Sequence, residues 1–236
     1  MSCSLFRVLK AETWGPASKA VFVMHDDEEG LESWKNFQLS EFASITYPAI
    51  MRIPKEISVD QGVERLVYVM NNIAKEGTAG PDFVFFANDH TFVIPEHLCL
   101  FLKDYSSKLD FYAGHPLANE GLEYGFNSGA SGYALSNMTI KKLVNAISQK
   151  EKFCTTDEKN AWLSGNPGIL TAACLGSTLH TPPFDTRTPQ GEHLFHAFGI
   201  VRTVTGNVDG WYLRKHKRLY FRKEGDEDKD HLPSGE

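Results

Sequence analysis

The chain has 236 residues, of which 42% are hydrophobic and 23% charged, and its formal net charge is -6. That length suits one α/β domain or two small ones with a sizeable core, and the acidic balance argues against a polyanion-binding surface, so no nucleic-acid partner is expected. The short basic run from Arg214 to Lys217 reads as a solvated strand or loop. No run of about 18 apolar residues that could cross a membrane occurs, and Met1 to Lys10 lack the apolar centre of a signal peptide. Taken literally, the residues describe a soluble chain with no targeting signal. Four cysteines, at 3, 99, 154 and 174, are too few for a disulfide scaffold but enough for one or two bridges.

In chain order, Leu5, Val8 and Leu9 have helical spacing and predict a helix running to about Trp14, stopped by Gly15-Pro16. Ala20 to Met24 reads as a short buried strand, followed by the acidic run His25 to Glu29, a solvated loop. Ile50 to Ile53 is a second strand, closed by Pro54. From Val59 to Ala74, apolar residues at 63, 66, 67, 70 and 73 recur at three- and four-residue steps, the pattern of an amphipathic helix.

The helix feeds the stretch on which the rest of the chain is organised, Phe83-Val84-Phe85-Phe86-Ala87-Asn88-Asp89-His90-Thr91-Phe92-Val93. An unbroken apolar run suits a central parallel strand covered on both faces. Periodicity alone also allows a buried helix segment. The β-branched and aromatic content and the preceding Gly80-Pro81 favour the strand. Ligands of open α/β sheets bind beyond the carboxyl ends of strands, which is where Asn88, Asp89 and His90 would lie. An Asp and a His there could hold a divalent ion against a phosphate. From the tripeptide alone, a polar strand-to-turn junction is the commoner reading.

Pro95 to Tyr105 predicts another helix and Phe111 to Gly114 a strand ending in glycine. Small residues from Ser128 to Gly132 let the backbone approach something closely, either a ligand or a neighbouring strand. Ser136 is placed to cap a helix bearing Ile140, Leu143, Val144 and Ile147. A further helix is expected near Gly168 to Leu179, then strand and loop from Phe195 to Phe221. A single domain over residues 1–223 is expected, with a charged and disordered tail over 224–236.

Together these stretches resemble one family, the inverting β-1,3-glycosyltransferases that include Fringe and core 1 galactosyltransferase. Ala11-Glu12-Thr13-Trp14-Gly15 looks like their helix-end motif, and Phe85 to Val93 like their strand and metal motif, usually Lys-Ala-Asp-Asp-Asp-Thr-Tyr-Val. Ser128 to Ser136 is similar to their Gly-Gly-Ala-Gly-Tyr-Val-Leu-Ser acceptor-side segment. Ala172-Ala173-Cys174-Leu175, Asp185-Thr186-Arg187 and Phe195-His196-Ala197-Phe198 are similar to the closing region of the core 1 branch. Order and spacing match from about Val8 to Trp211.

The resemblance implies a GT-A fold, a Rossmann-like, mostly parallel sheet with helices on both faces, binding a nucleotide sugar and a metal, usually Mn2+. It implies transfer of galactose from UDP-galactose to O-3 of GalNAc on Ser or Thr of a glycoprotein acceptor, with inversion, and leaves a homodimer open. Asp89 and His90 would hold the metal, and Asn88 with Asp89 would contact the nucleotide. Ser128, Gly129, Ala130, Gly132 and Tyr133 would line the acceptor side. Cys154 and Cys174 would form a disulfide, as a cysteine pair does in the core 1 branch, with Cys99 a buried free thiol. Asn137-Met138-Thr139 is a glycosylation sequon that the start of a helix could block.

Two departures bear on activity. The family's Asp-Asp-Asp is Asn88-Asp89-His90 here, and the acidic pair that supplies its base falls on Pro167-Gly168. Asp157, Glu158 and Asp185 are the nearest carboxylates, with Asp157 and Glu158 the preferred substitutes and Asp185 expected to be structural. A family member would also carry a membrane anchor, a stem and a first strand before Leu5, and would continue past Glu236 to another metal-binding His. The match therefore implies a piece of a Golgi-lumenal, type II membrane protein. A catalytically degenerate relative, chaperone-like or glycan-binding, and a related UDP-GlcNAc transferase are the alternatives.

Overall fold

The computed structural model describes residues 3–6, 21–25, 49–58, 60–76, 80–87, 91–155 and 166–214, with the strands among the first fifty residues described by their backbone. Six strands form one sheet: β1 (Cys3–Phe6), β2 (Val21–His25), β3 (Ala49–Ile53), β4 (Phe83–Phe86), β5 (Tyr112–Gly114) and β8 (Tyr133–Ser136), ordered β3-β2-β1-β4-β8-β5. Two short strands, β6 (Pro116–Leu117) and β7 (Phe126–Asn127), pair apart from it. β3, β2, β1 and β4 are parallel neighbours, whereas β8 runs antiparallel to both β4 and β5. The fold is therefore mixed α/β, not a purely parallel sheet.

The strand β1 overturns the helix expected from Leu5 to Trp14. Cys3 to Phe6 pair residue for residue with Phe83 to Phe86, so sheet pairing overrides the helical spacing of Leu5, Val8 and Leu9. Residues 7–14, the rest of that expected helix, lie outside the described residues, as does the 224–236 tail.

β4 carries the alternation that organises both sides of the sheet. Val84 and Phe86 join a cluster with Val69, Met70 and Ile73 of α1 (Gly62–Lys75) and Ile140, Leu143 and Ala146 of α3 (Asn137–Ser148). Phe83 and Phe85 join the opposite cluster with Leu98 and Leu102 of α2 (Pro95–Leu102), Phe111 and Phe195. The period of two along a strand sends neighbouring side chains to opposite faces. All four are buried, which explains why the segment reads as one apolar run. Helices thus cover both faces.

Ser136 caps α3 as expected. Its Oγ accepts from the Thr139 amide at 3.1 Å and donates to Leu109 O at 2.7 Å. Burying Ile140 and Leu143 contributes about 1.5–3 kcal/mol each. α4 (Pro167–Ala173) runs directly into a π-helical turn, Cys174–Thr178. Cys154 and Cys174 are bridged, with Cα atoms 4.7 Å apart. Cys99 is a free thiol, half-buried on α2 instead of fully buried, because its position faces between the apolar stripe and solvent.

Beyond residue 179 the chain is mostly irregular. The strand expected after Phe195 is replaced by turns and a short helix, α5 (Ile200–Thr205). Aromatic side chains there serve tertiary packing; Phe195, for example, lies 5.8 Å from Phe101 and 6.2 Å from Phe85 between ring centroids.

Candidate functional site

Two segments meet at the carboxyl end of β4, and a third, the start of α4, lies beside β7. The first is the end of the strand itself. Asn88, Asp89 and His90 lie outside the described residues, and the chain is described again from Thr91, whose Oγ1 donates to Ala130 O at 3.1 Å. The bond ties the continuation of β4 to the loop between β7 and β8.

That loop, residues 128–132, is the second segment, and its conformation follows from its small residues. Gly132 has φ +71°, and a Cβ on it would stand 2.2 Å from Phe85 Cζ and 2.9 Å from Phe86 O. Only glycine fits both the left-handed backbone and the approach to β4. Gly114, across from it, would drive a Cβ to 2.9 Å from Asn127 Cγ and 3.0 Å from Gly132 O. Ser131 Oγ donates within the loop to Ser128 O at 2.8 Å, and the Ser128 amide donates to His115 O at 2.8 Å. Ser128, Ser131, Gly132 and Tyr133 are buried, whereas Gly129 and Ala130 are exposed, and a Cβ on Gly129 would meet nothing within 4 Å. Of the residues expected on the acceptor side, Gly129 and Ala130 are exposed, Ser128 and Gly132 build the loop, and Tyr133 begins β8.

Tyr133 is a core ring. It stacks on Phe86 with centroids 5.4 Å apart and meets Tyr112 edge-on at 5.7 Å. Burial pushes its hydroxyl up to about 12, against a hydrogen bond with the Thr171 side chain that lowers it. Burial raises Tyr112 further still, with Tyr133 adding to the effect. Tyr112 keeps its proton and receives the Asn127 amide on its hydroxyl at 2.8 Å.

The third segment is the start of α4, where Pro167-Gly168 stand. Asn166 caps it, its Oδ1 accepting from the amides of Gly168 at 2.9 Å and Ile169 at 3.3 Å. Asn followed by Pro at the first helical position is a readable helix start, though the sequence reading began this helix at Gly168 and passed over Asn166. A Cβ on Gly168 would lie 3.9 Å from Asn127 O, which puts this helix start beside β7 and the loop. Neither Pro167 nor Gly168 offers a proton acceptor on its side chain.

Asp157 and Glu158 lie outside the described residues, in the stretch bracketed by Thr155 and Asn166. Asp185 is engaged elsewhere: Arg187 Nε lies 2.9 Å from Asp185 Oδ1 and Arg187 Nη2 2.6 Å from Oδ2. The hydrogen bonds from Arg187 hold its carboxyl below the usual range. Its neighbour Thr186 is buried and donates to Gly114 O at 2.9 Å, so this turn braces β5.

The sequon is built into the fold. Asn137 Nδ2 donates to Pro81 O at 2.9 Å, and the buried Thr139 hydroxyl accepts the Phe111 amide at 2.8 Å. Both groups that a glycan-transferring enzyme must reach are occupied.

Among the described residues, no three His, Cys, Asp or Glu side chains gather closely enough to hold a metal ion; Asp89 and His90 are not among those residues. A groove of about 420 Å³ lies instead against α1, lined by Val63, Val67, Tyr68, Ile147 and Leu170 with Cys154 at its edge. No described helix is long and apolar enough to cross a membrane. No family model matches the chain.

Proposed function

We propose that the chain is the sugar-nucleotide domain of a GT-A-type, inverting β-1,3-glycosyltransferase that moves galactose from UDP-galactose to O-3 of GalNAc on Ser or Thr. The observation that carries this reading is the meeting of β4's carboxyl end with the 128–132 loop, tied by the Thr91–Ala130 hydrogen bond, with the start of α4 beside β7 at the entry to that loop. Those are the three segments whose sequences carry the resemblance and its departures. The sheet order, with β8 reversed between β4 and β5, supports the same assignment. The Cys154–Cys174 bridge suits an oxidising compartment such as the Golgi lumen.

In this reading Asp89 and His90 hold Mn2+, and Asn88 contacts the nucleotide. One carboxylate oxygen and one imidazole nitrogen form a donor set that a divalent first-row ion accepts. Such an ion would supply Lewis-acid neutralisation of the departing diphosphate. The exposed backbone of Gly129 and Ala130 leaves room for an acceptor sugar to approach β4's end. Buried Gly132 and Tyr133 pack that edge against Phe85 and Phe86. The acceptor hydroxyl must lose a proton to a carboxylate on the face opposite the leaving group. Pro167-Gly168 cannot take it and Asp185 is committed to Arg187, so Asp157 and Glu158, the carboxylates nearest in sequence, are the proposed substitutes.

A second reading is favoured by one specific feature. The position of the family's acidic pair is occupied by an Asn-capped, Pro-initiated helix start, which suits a non-catalytic relative that binds glycans or assists a partner's folding. A positioned general base typically contributes ~100- to 10,000-fold, so the enzyme reading predicts slow, Mn2+-dependent transfer from this chain. A screen of UDP-galactose and UDP-GlcNAc against a GalNAc-peptide, with and without Mn2+, tests it. Transfer lost in the Asp157→Asn, Glu158→Gln double variant supports the enzyme. UDP or GalNAc-peptide binding without any transfer supports the non-catalytic relative, and the absence of both UDP binding and transfer overturns the enzyme reading.

A further inference from the structure

His115, between β5 and β6, is 1% exposed, and both of its ring nitrogens are engaged by a segment far along the chain. Nδ1 lies 2.7 Å from Phe195 O and Nε2 lies 2.8 Å from the Tyr212 hydroxyl. A carbonyl oxygen only accepts, so Nδ1 carries the proton. In the neutral ring Nε2 is then an acceptor and Tyr212 the donor. Burial raises Tyr212, which keeps that hydroxyl protonated. The Tyr212 ring also stacks on His115 with centroids 5.6 Å apart and packs edge-on against Phe198 at 4.8 Å.

We propose that His115 is a pH-sensitive clasp, which in its neutral form locks the 193–212 segment onto β5 and β6 and on protonation lets that segment go. A second proton would land on Nε2 and turn the acceptor facing Tyr212 into a donor. It would also place a charge where water hardly reaches, an unfavourable exchange for a buried group. The proton is taken up on release, so acid favours the released state and neutral pH the docked one. Histidine is the side chain whose charge ordinarily changes across mildly acidic pH.

The charged and titratable neighbours are these. The His193 ring lies 4.7 Å from His115. Behind it stands the Asp185–Arg187 pair, with His193 helping to hold Asp185 ionised. On the Tyr212 side, Arg202 lies over the Phe198 ring at 4.7 Å and pairs with Asp209 at 3.3 Å. Glu192 immediately precedes the segment and His196 lies within it. The clasp also touches the candidate site, because His115 O accepts the Ser128 amide that begins the 128–132 loop.

Backbone hydrogen exchange of the whole chain, corrected for intrinsic rates, tests the clasp between about pH 7.5 and about pH 5.5. Amides of residues 195–213 should open more readily in acid, by up to about tenfold per pH unit below the midpoint, the slope of one linked proton. Those of α3 should not follow. His115→Gln should exchange at one level across the range. An imidazole nitrogen titration of His115 in the unaltered protein provides a second readout that needs no variant. A His115 ring that stays neutral while the segment loosens would overturn the proposal. So would a segment whose exchange ignores pH, or a pH response that His115→Gln leaves intact.

Discussion

The two faces of the sheet are held by different means. On one side, α1, α3 and α4 pack mostly aliphatic side chains, beside the Tyr112 and Tyr133 rings, against Val84 and Phe86, and the Cys154–Cys174 bridge is embedded among them. On the other, a set of aromatic rings meets Phe83 and Phe85: Phe101, Tyr105, Phe111, Phe184 and Phe195, with centroid separations from 4.7 to 6.4 Å. The aliphatic face is made from helices whose own periodicity places the contacts. Much of the aromatic face is made from irregular chain, and Phe184 and Phe195 come from far along the sequence. The first should tolerate loss of the second better than the reverse, because α1 and α3 still bury each other.

The largest effects should come from cutting the centre of each cluster. Phe111→Ala removes a ring that contacts Phe83, Phe101, Tyr105 and Phe184, and Leu143→Ala empties a fully buried position on α3. Each should cost about 3–5 kcal/mol in urea unfolding. The comparison is sharpened by hydrogen exchange. Phe111→Ala should loosen the 184–195 region before α3, and equal loosening of both faces would break the distinction.

Gly132→Ala comes next, since it combines a left-handed backbone with a Cβ overlapping Phe85. About 2–4 kcal/mol is expected from strain and overpacking together. A neutral outcome would mean that the loop does not press on β4 as described. Replacing Cys154 and Cys174 by alanine opens a closure spanning a sequence separation of 20, worth about 3 kcal/mol on the chain-entropy account. That loss should fall on the aliphatic face alone. Ser136→Ala, which removes the α3 cap, should cost about 1 kcal/mol and leave the aromatic face unchanged.

The same contrast explains what could be read from the sequence. α1, β4, α2 and α3 were legible because each carries its own signal: a helical stripe, an unbroken apolar run, a Pro-led helix start, a serine cap. The disulfide was legible only through the resemblance, since the spacing of four cysteines names no partner. β1 was misread as helix, because its pairing with β4 comes from a strand nearly eighty residues away and leaves no local mark. The aromatic face was illegible for a related reason. Phe195 and Tyr212 look like strand residues by composition, and only the fold brings them to Phe85 and His115. At the candidate site, the glycines announced a close approach, and the approach is to β4 itself. His115 carried no signal, because a lone histidine after a strand glycine has no pattern around it.

The central claim is that β4's carboxyl end is built to hold a nucleotide diphosphate through a divalent ion. Titrating the chain with UDP by calorimetry, with and without Mn2+, addresses it most directly. The account predicts binding that requires Mn2+ and weakens by about tenfold or more in His90→Ala. UDP binding of equal strength without the metal and in His90→Ala would contradict it.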